Sequence, residues 1–371
     1  MSEKHLNIVS FDVPLPANYG GVIDVFYKIK ALHKLGVKIH LHCFDYGRGT
    51  QADLEQYCAS VKYYKRREKK LFLLSSLPYI VASRLNNNIV KDLCQNNYPI
   101  LFEGLHTCGT LADIRLDNRT KFVRTHNIEH DYYKGLANVE KKTFKRIYFK
   151  REAKKLRKFE GILNLADKVF AISNEDAKYL SSKYNNVDYL PVFHPAEKVE
   201  ITPGKGNFAL YHGNLSVGEN NEAAIFLATK VFNDLDYPLI IAGSNPSEEL
   251  VEICKQNDKI ELKAKIDSKE IEQLVADTHV NVLPTFQSTG IKLKLLLALF
   301  KGRFCIANNE MILNTGIETL CEVSNSEDEW KNAIKKVFNK EFDTKEIDSR
   351  KDILENNFNN DNSIKILFDS I

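Results

Sequence analysis

Short apolar segments alternate with longer segments of helical periodicity along most of the chain. In the first half the apolar segments are LNIVSF, VKIHLHCF, YPILFEG, KFVRTHN and KVFAIS, and segments such as IDVFYKIKALHKLG lie between them. Short apolar runs bounded by turns predict buried strands, and apolar residues repeated every three or four positions predict helices. This alternation is typical of parallel sheets covered by helices on both faces.

The same pattern restarts after an interval rich in Pro, Gly and Asn. The interval is YNNVDYLPVFHPAEKVEITPGKGN, and FALYHGNLS, PLIIAGS, KIELKA, VNVLPT and RFCIAN follow it with helical segments between them. The sequence therefore predicts two doubly wound, Rossmann-like α/β domains that face each other across a cleft. The predicted ranges are 1–190, a hinge at 191–206, and 207–340, followed by peripheral helices over 341–371.

Composition excludes several classes of protein. The chain of 371 residues is 43% hydrophobic and 27% charged, which is ordinary for a globular protein of two domains. Its net charge of +3 is too small to indicate nucleic-acid binding by the whole molecule. Seven cysteines without a C-x-x-C pair indicate reduced thiols. Neither a signal peptide nor an apolar run of about 18 residues is evident, so we expect a cytoplasmic protein.

The segment VLPTFQSTGIKLKLLLALFKG combines a strand, a polar turn and an apolar helix. Lys292 and Lys294 fall in the first turns of this helix, where the helix dipole disfavours cations. Ser288, Thr289 and Gly290 leave backbone N–H groups available at the helix start, where an anion could bind and reverse that cost. The segment therefore predicts a phosphate site, with exposure of both lysines to solvent as the alternative.

A glycine pair in PANYGGVIDVF suggests a second anion site. Gly20 and Gly21 follow the first predicted strand and begin a helix, so their amides could bind a phosphate. A turn that merely requires a positive φ would look the same, and both interpretations stay open. One such loop in each half favours a diphosphate held between the two domains.

These segments resemble the GT-B glycosyltransferases of the family 4 type, which retain the anomeric configuration of a sugar taken from a nucleotide-diphosphate donor. The resemblance covers nearly the whole chain and includes NYGG, VRTHNIEHDYYKGL, LADKVFAISNEDAKYL, YLPVFHP, YHGNLSVGENN, IIAGSNPS and LPTFQSTGIKLKLLLALFKGRFCIAN. It implies a GT-B fold, a nucleotide-sugar donor in the second domain, a glycan or lipid-linked acceptor in the first, and no cofactor.

Two departures from the family pattern change the expected site. Thr289 and Leu297 stand where the family has glutamates, and Asn214 and Glu219 stand where it has Arg and Lys. The positive charge that stabilises the leaving diphosphate must then come from other residues, and the lysines of the apolar helix are the candidates.

The resemblance and these departures together predict the residues of the site. The predicted catalytic residues are His126, at the floor of the sugar pocket, with Lys292 and Lys294. The predicted donor-binding residues are Gly20, Gly21, Asn214, Gly243, Ser244, Lys263, Ser288, Thr289, Gly290 and Ile291. The predicted acceptor-binding residues are Glu103, His106 and His130. The histidine pair in HNIEH lacks the H-E-x-x-H order and no D-x-D motif occurs, so we expect a metal-independent enzyme.

Two basic clusters, KYYKRREKK and KKTFKRIYFKREAKKLRK, lie in the first half. They form either a solvated helix face or a surface that docks on anionic lipid, and the second alternative would place the enzyme at the inner face of the membrane. The predicted function is a hexosyltransferase of cell-surface polysaccharide or glycoconjugate synthesis. A degenerate GT-B scaffold or nucleotide-binding subunit and a nucleotide-sugar epimerase remain alternatives.

Overall fold

The computed structural model describes residues 3–286, 293–312 and 315–371. The described chain divides into two units, each built on a parallel sheet. The first contains residues 3–195 and 358–371, and the second contains the described residues of 196–357. No helix in these ranges is long and apolar enough to cross a membrane.

The first unit has a seven-stranded sheet in the order β3-β2-β1-β4-β5-β6-β7. Its strands are β1 (His5–Ser10), β2 (Lys38–Asp45), β3 (Ser60–Lys65), β4 (Ile100–Glu103), β5 (Lys121–Arg124), β6 (Lys168–Ala171) and β7 (Val187–Tyr189). Its first six helices are α1 (Gly20–Lys34), α2 (Tyr79–Ala82), α3 (Asn87–Leu93), α4 (Glu129–Val139), α5 (Thr143–Phe159) and α6 (Asn174–Ser181). Short 3-10 turns at Ala52–Gln56, Lys70–Leu74, Leu105–Thr110, Ile114–Leu116 and Glu160–Leu165 connect them.

The apolar residues of β1 pack on both faces of this sheet. Leu6 and Ile8 belong to one buried cluster and Val9 to another, because successive side chains of a strand point to opposite faces. β1 pairs in parallel with both β2 and β4, and β4 pairs with β5. The carboxyl ends of β1, β4 and β5 therefore lie side by side, and the polar residues at those ends share one edge.

The second unit has a six-stranded parallel sheet in the order β10-β9-β8-β11-β12-β13. Its strands are β8 (Ala209–His212), β9 (Leu239–Ala242), β10 (Ile260–Lys263), β11 (Val280–Leu283), β12 (Phe304–Ala307) and β13 (Glu322–Val323). Its helices are α7 (Gly218–Phe226), α8 (Glu248–Lys255), α9 (Ser268–Asp277), α10 (Leu293–Lys301), α11 (Asn309–Ile312), α12 (Glu327–Phe338) and α13 (Thr344–Asn357). A π-helical turn, Leu227–Val231, follows α7, and a 3-10 turn, Glu318–Leu320, precedes β13.

Local sequence signals mark the starts of two of these helices. Asp267 and Glu270 form a capping box at α9, and Ser326 and Glu329 form another at α12. In each, the first side chain accepts a hydrogen bond from the helix backbone while the glutamate accepts one from the cap backbone.

The end of the chain returns to the first unit. Helix α14 (Asn360–Phe368) packs on α1, and its Ile364 and Leu367 are fully buried in the cluster that contains Leu6 and Ile8. α13 belongs to the second unit. The segment predicted as peripheral therefore contributes one helix to each unit.

Candidate active site

The loops that follow β8 and β9 pack against each other at the carboxyl edge of the second sheet. The amide of Leu215 donates a hydrogen bond to the carbonyl of Ser244 at 3.0 Å. A side chain at Gly243 would begin 1.8 Å from the carbonyl oxygen of Gly213, so only glycine allows the two loops this close. The Ser244 hydroxyl lies 3.4 Å from the Asn214 side-chain oxygen. Three residues predicted to bind the donor are thus brought together here.

Lys294, in the first turn of α10, lies beside the same loop. Its Nζ is 3.0 Å from the Asn220 side-chain oxygen and 3.3 Å from the Tyr211 hydroxyl. The Asn220 amide in turn donates to the Asn214 carbonyl at 3.0 Å. Lys294 also lies 4.9 Å from the centre of the Tyr211 ring. The lysine is therefore held at this edge of the sheet rather than extended into solvent.

His212, the last residue of β8, was not predicted as a site residue. It is 5% exposed, and its Nε2 has no hydrogen-bond partner among the residues that the structure describes. Burial, and next the Lys294 ammonium, lower the pKa of His212 to about 3. The imidazole is therefore neutral near pH 7, and Lys294 carries the positive charge. The sequence signal that could have identified His212 is its position at the end of an apolar strand.

Leu297 packs where the family has a glutamate for the donor ribose. It is partly buried against a cluster that includes Leu210, Ile240 and Val275. Glu219, which stands where the family has a basic residue, is buried and accepts a hydrogen bond from the Thr285 hydroxyl. Leu297 and Glu219 therefore both contribute to the internal packing of the second unit.

The remaining donor residues of the second unit divide into two groups. Lys263 ends β10, and its Nζ lies 3.1 Å from Glu261. The other four, Ser288, Thr289, Gly290 and Ile291, lie outside the described residues, as does the predicted catalytic residue Lys292.

The carboxyl edge of the first sheet holds a fully buried cluster of four charges. Lys28 on α1 lies 3.0 Å from Asp24 and 2.6 Å from Glu103, which ends β4. The Arg124 guanidinium, at the end of β5, donates to both Asp24 oxygens at 3.2 and 3.0 Å. Burial alone would raise the pKa of Asp24, but Arg124 and Lys28 outweigh it and hold this pKa below its usual range. The two acids and two bases balance in charge.

His126 lies against this charge cluster. Its Nε2 is 2.9 Å from Glu103, and its ring meets Phe11 edge-on with centroids 5.2 Å apart. Glu103 is fully buried, with one oxygen on Lys28 and the other on His126. The predicted direct contact between Glu103 and an acceptor therefore needs correction, because the structure places this carboxylate behind the histidine.

The cluster is a poor fit for a metal ion. Asp24, Glu103 and His126 each offer a ligand atom, and these atoms lie within 4.8 Å of one another. Lys28 and Arg124 already balance both carboxylates, so a divalent ion would bring two cationic neighbours close to a third positive charge.

The two histidines of HNIEH have different partners. His126 bonds to Glu103, whereas His130 Nε2 lies 2.7 Å from the Tyr179 hydroxyl and 3.3 Å from Glu160. His130 is 3% exposed. Among the described residues, His126 and His130 therefore share no common ligand set.

The glycine pair at the start of α1 has a packing explanation. Neither Gly20 nor Gly21 has a positive φ, so the turn interpretation is wrong. A side chain at Gly21 would begin 2.6 Å from the Phe11 ring, which is itself flanked by His106 and His126. Close approach of Phe11 therefore requires the second glycine, while a phosphate contact at this helix start stays a prediction.

Comparison with known proteins agrees with this architecture. The chain is 28% identical over 320 residues to an uncharacterized 44.6 kDa protein in the cps region of Klebsiella pneumoniae, a match that covers 81% of this chain and 82% of the relative. A glycosyltransferase from Rickettsia africae superimposes with a TM-score of 0.67 at 13% identity, covering 100% of this chain and 98% of the other. Anabaena HepE in complex with UDP and glucose gives 0.66 at 12% identity and 98% coverage of each chain.

These similarities and the two parallel α/β units define a protein of the GT-B fold, as the sequence predicted. Residues 207–340 match the family described as glycosyl transferases group 1. The matched residues lie in the second unit, which carries Lys294, His212 and the glycine loops after β8 and β9. The predicted resemblance to GT-B glycosyltransferases is thereby confirmed, while the family 4 type and the retained configuration stay predictions.

Proposed function

We propose that the protein transfers a hexosyl group from a nucleoside-diphosphate sugar to a glycan or lipid-linked acceptor, with retained anomeric configuration and without a metal ion. The observation that carries this proposal is the Lys294 ammonium, held by Asn220 and Tyr211 beside the loop after β8. It lies within the residues that match the glycosyl transferases group 1 family.

Lys294 would act on the charge that develops as the sugar leaves its diphosphate. A preorganised cation stabilises such charge most strongly where little water competes with it. Asn220 and Tyr211, which hold Lys294, carry no charge, and the pKa of the neighbouring His212 is lowered to about 3. In this mechanism the leaving phosphate takes the acceptor proton, so a side-chain base is not required. His126 lines the floor of the sugar pocket.

The relatives support the choice of donor and the biological setting. HepE is described in complex with UDP and glucose, which favours a nucleotide sugar as the donor here. The Klebsiella relative lies in a cps region, which favours cell-surface polysaccharide synthesis.

A donor screen followed by one variant tests the proposal. Nucleoside diphosphates and their sugars are first ranked by thermal shift, since a ligand at a hundred times its Kd stabilises by about 2.7 kcal/mol. Release of nucleoside diphosphate from the best donor is then measured. Lys294→Ala should lower this turnover about 10²-fold or more. Lys301→Ala, at the other end of α10 and paired with Glu272, is the matched control and should retain the parental rate.

The outcomes separate the alternatives. Donor binding without turnover would indicate a degenerate scaffold, as the packed Leu297 suggests. Conversion of the nucleotide sugar without an acceptor would indicate an epimerase. Turnover that is equal in Lys294→Ala and the parental chain would remove Lys294 from the mechanism.

The acceptor-side unit also presents a surface suited to anionic lipid. We define the basic surface as the turn Lys70–Leu74 together with the exposed side chains of α5, and Lys155 in the second half of α5 bonds to the Leu73 carbonyl at 3.3 Å. Leu71, Leu74 and Phe144 are 70%, 77% and 91% exposed. Exposed apolar side chains among lysines and arginines are the features of a helix that lies at a membrane surface. We propose that this surface docks the enzyme on the inner face of the membrane.

A further inference from the structure

Two polar atoms of the first unit face each other across a gap at the carboxyl edge of its sheet. His106 Nδ1 and Glu129 Oε1 are 3.8 Å apart, which is too far for a hydrogen bond between them. Within the described part of the chain neither atom has a hydrogen-bond partner. Glu129 is 3% exposed. Buried polar atoms without partners are rare in native proteins, and a pair that converges on one gap indicates a missing third group.

A glycine and an aromatic ring border this gap. Gly104, directly after β4, has a φ of +69°, and a side chain there would begin 2.9 Å from His106 Nδ1. The Phe11 ring lies beside the same imidazole, with centroids 5.4 Å apart. On its other side Phe11 meets His126, which borders the buried charge cluster. The gap is thus bounded by an apolar ring and lies next to the predicted sugar pocket.

The charge at the gap favours a neutral ligand. Burial raises the pKa of Glu129 to about 7, against the lowering effects of Asn127 and Arg84, while Asp176 raises it further. Burial, and next Arg84, hold the pKa of His106 well below its usual range. The uncharged imidazole and the carboxyl group offer a phosphate no positive charge, and the nearby Arg84 guanidinium already donates to the Phe11 and Ile80 carbonyls. A hydroxyl group, in contrast, can donate to one atom and accept from the other.

We propose that His106 and Glu129 together bind a hydroxyl group of an uncharged sugar, which is the acceptor of the transfer; this role rests on the proposed function. A separation of 3.8 Å between the two atoms allows one hydroxyl oxygen to lie about 2.8 Å from each. The aromatic face of Phe11 provides the apolar contact that sugar rings commonly make. His106 was predicted from the sequence as an acceptor residue, whereas Glu129 was not, because only the fold brings the two together.

Binding of small glycosides to the full chain tests this inference without requiring turnover. Methyl and hexyl glycosides of glucose, galactose and N-acetylglucosamine are titrated by ligand-observed NMR, with hexyl phosphate as the anionic comparison. We expect at least one glycoside to bind, and hexyl phosphate to compete poorly with it. Glu129→Leu and His106→Leu should each weaken binding about tenfold, the effect of one lost hydrogen bond with its partner left unpaired.

Two variants keep the outcome interpretable. Glu129→Gln retains a hydrogen-bonding group, and its affinity for the glycoside should stay within about threefold of the parental affinity. If Glu129 acted only through its charge, this variant would lose binding. Asp92→Asn alters a carboxylate of the same unit that bonds to Lys62 and Tyr64 instead, and should leave glycoside binding unchanged. Because His106 is partly exposed, His106→Leu remains informative even where Glu129→Leu unfolds the unit.

Three results would overturn the inference: no glycoside binds the parental chain, hexyl phosphate binds more tightly than the glycosides, or folded Leu variants bind as the parental chain does. Failure of the proposed function is recognised separately by the donor assay. Absent donor turnover together with glycoside binding that depends on His106 and Glu129 would keep the hydroxyl site and overturn its acceptor role.

Discussion

Asp24 has an unusual environment for a carboxylate on a helix. It is fully buried on α1 and bonds to the Arg124 guanidinium, to Lys28 and to the backbone amide of Phe193 at 2.8 Å. Replacing a whole buried ion cluster with apolar groups is often neutral, but removing one member leaves the others without compensation. The cluster also orients Glu103, and through it His126, so its stability and the geometry of the predicted pocket are connected.

We expect Asp24→Asn to lower the free energy of unfolding of the first unit by about 3–5 kcal/mol, because it leaves Arg124 buried beside an uncharged amide. Lys34→Ala, on the same helix, removes an exposed pair with Asp361 and should cost about 1 kcal/mol or less. Hydrogen exchange of peptides from β1 and β4, measured against denaturant, reports this unit. Equal effects of the two variants would contradict the argument.

The two halves of helix α5 lie in different environments. Ala153 and Leu156 in its second half are buried, whereas Phe144 and Ile147 in its first turns are exposed. The two alternatives drawn from the sequence, a packed stripe and an exposed basic face, therefore apply to different halves of the same helix. Lys155, in the second half of α5, bonds to the Leu73 carbonyl, so this half of the helix joins the turn that follows the first basic cluster.

The membrane role of the basic surface predicts binding to vesicles that contain anionic lipid. Binding should weaken with added salt, since each Lys or Arg near the membrane contributes about 1 kcal/mol through electrostatic attraction. The double variant Phe144→Ser, Leu74→Ser should reduce co-sedimentation, because it removes the apolar side chains that would insert. Ile114→Ser replaces a residue that is 81% exposed just before β5 and outside this surface, and it serves as the control.

Equal recovery of the parental protein from neutral and anionic vesicles would remove the membrane role. The transferase proposal does not depend on that result, because its evidence lies in the second unit.

At the scale of the whole molecule, the last helix of the chain packs into the core of the first unit. α14 supplies Ile364 and Leu367 to the cluster around β1 and α1. The His194 ring bonds to the Phe358 carbonyl at 2.7 Å, and the Asn360 amide donates to the His194 carbonyl at 2.8 Å. The first unit is therefore built from two distant parts of the sequence.

Leu367→Ala should destabilise the first unit by about 2–5 kcal/mol, because it leaves a cavity in a packed core. Ile366→Ala, on the same helix but 37% exposed, should cost less than about 1 kcal/mol. Exchange of β1 and α1 peptides measures the effect. Trp330, the one tryptophan of the chain and buried in the second unit, reports that unit separately by fluorescence. Unchanged exchange in Leu367→Ala would argue against docking of α14 on the first unit.

The alternation of apolar runs with helical periodicity was sufficient to predict the two parallel α/β units. A buried parallel strand must be apolar on both faces, and a covering helix must be apolar on one, so these local patterns are visible in the sequence. The glycine pairs and the segment around Lys294 could also be recognised in the sequence, because close backbone approach and helix starts depend on a few neighbouring residues.

Only the tertiary structure decided which charged and polar groups meet. Asp24, Glu103 and Arg124 are far apart in the chain, and the position of β4 between β1 and β5 brings them together. The gap between His106 and Glu129 arises in the same way, from the ends of neighbouring strands. Periodicity records whether a side chain is buried, but its partner depends on strand order and on long-range packing. The same limit explains why composition alone could not assign α14 to the first unit.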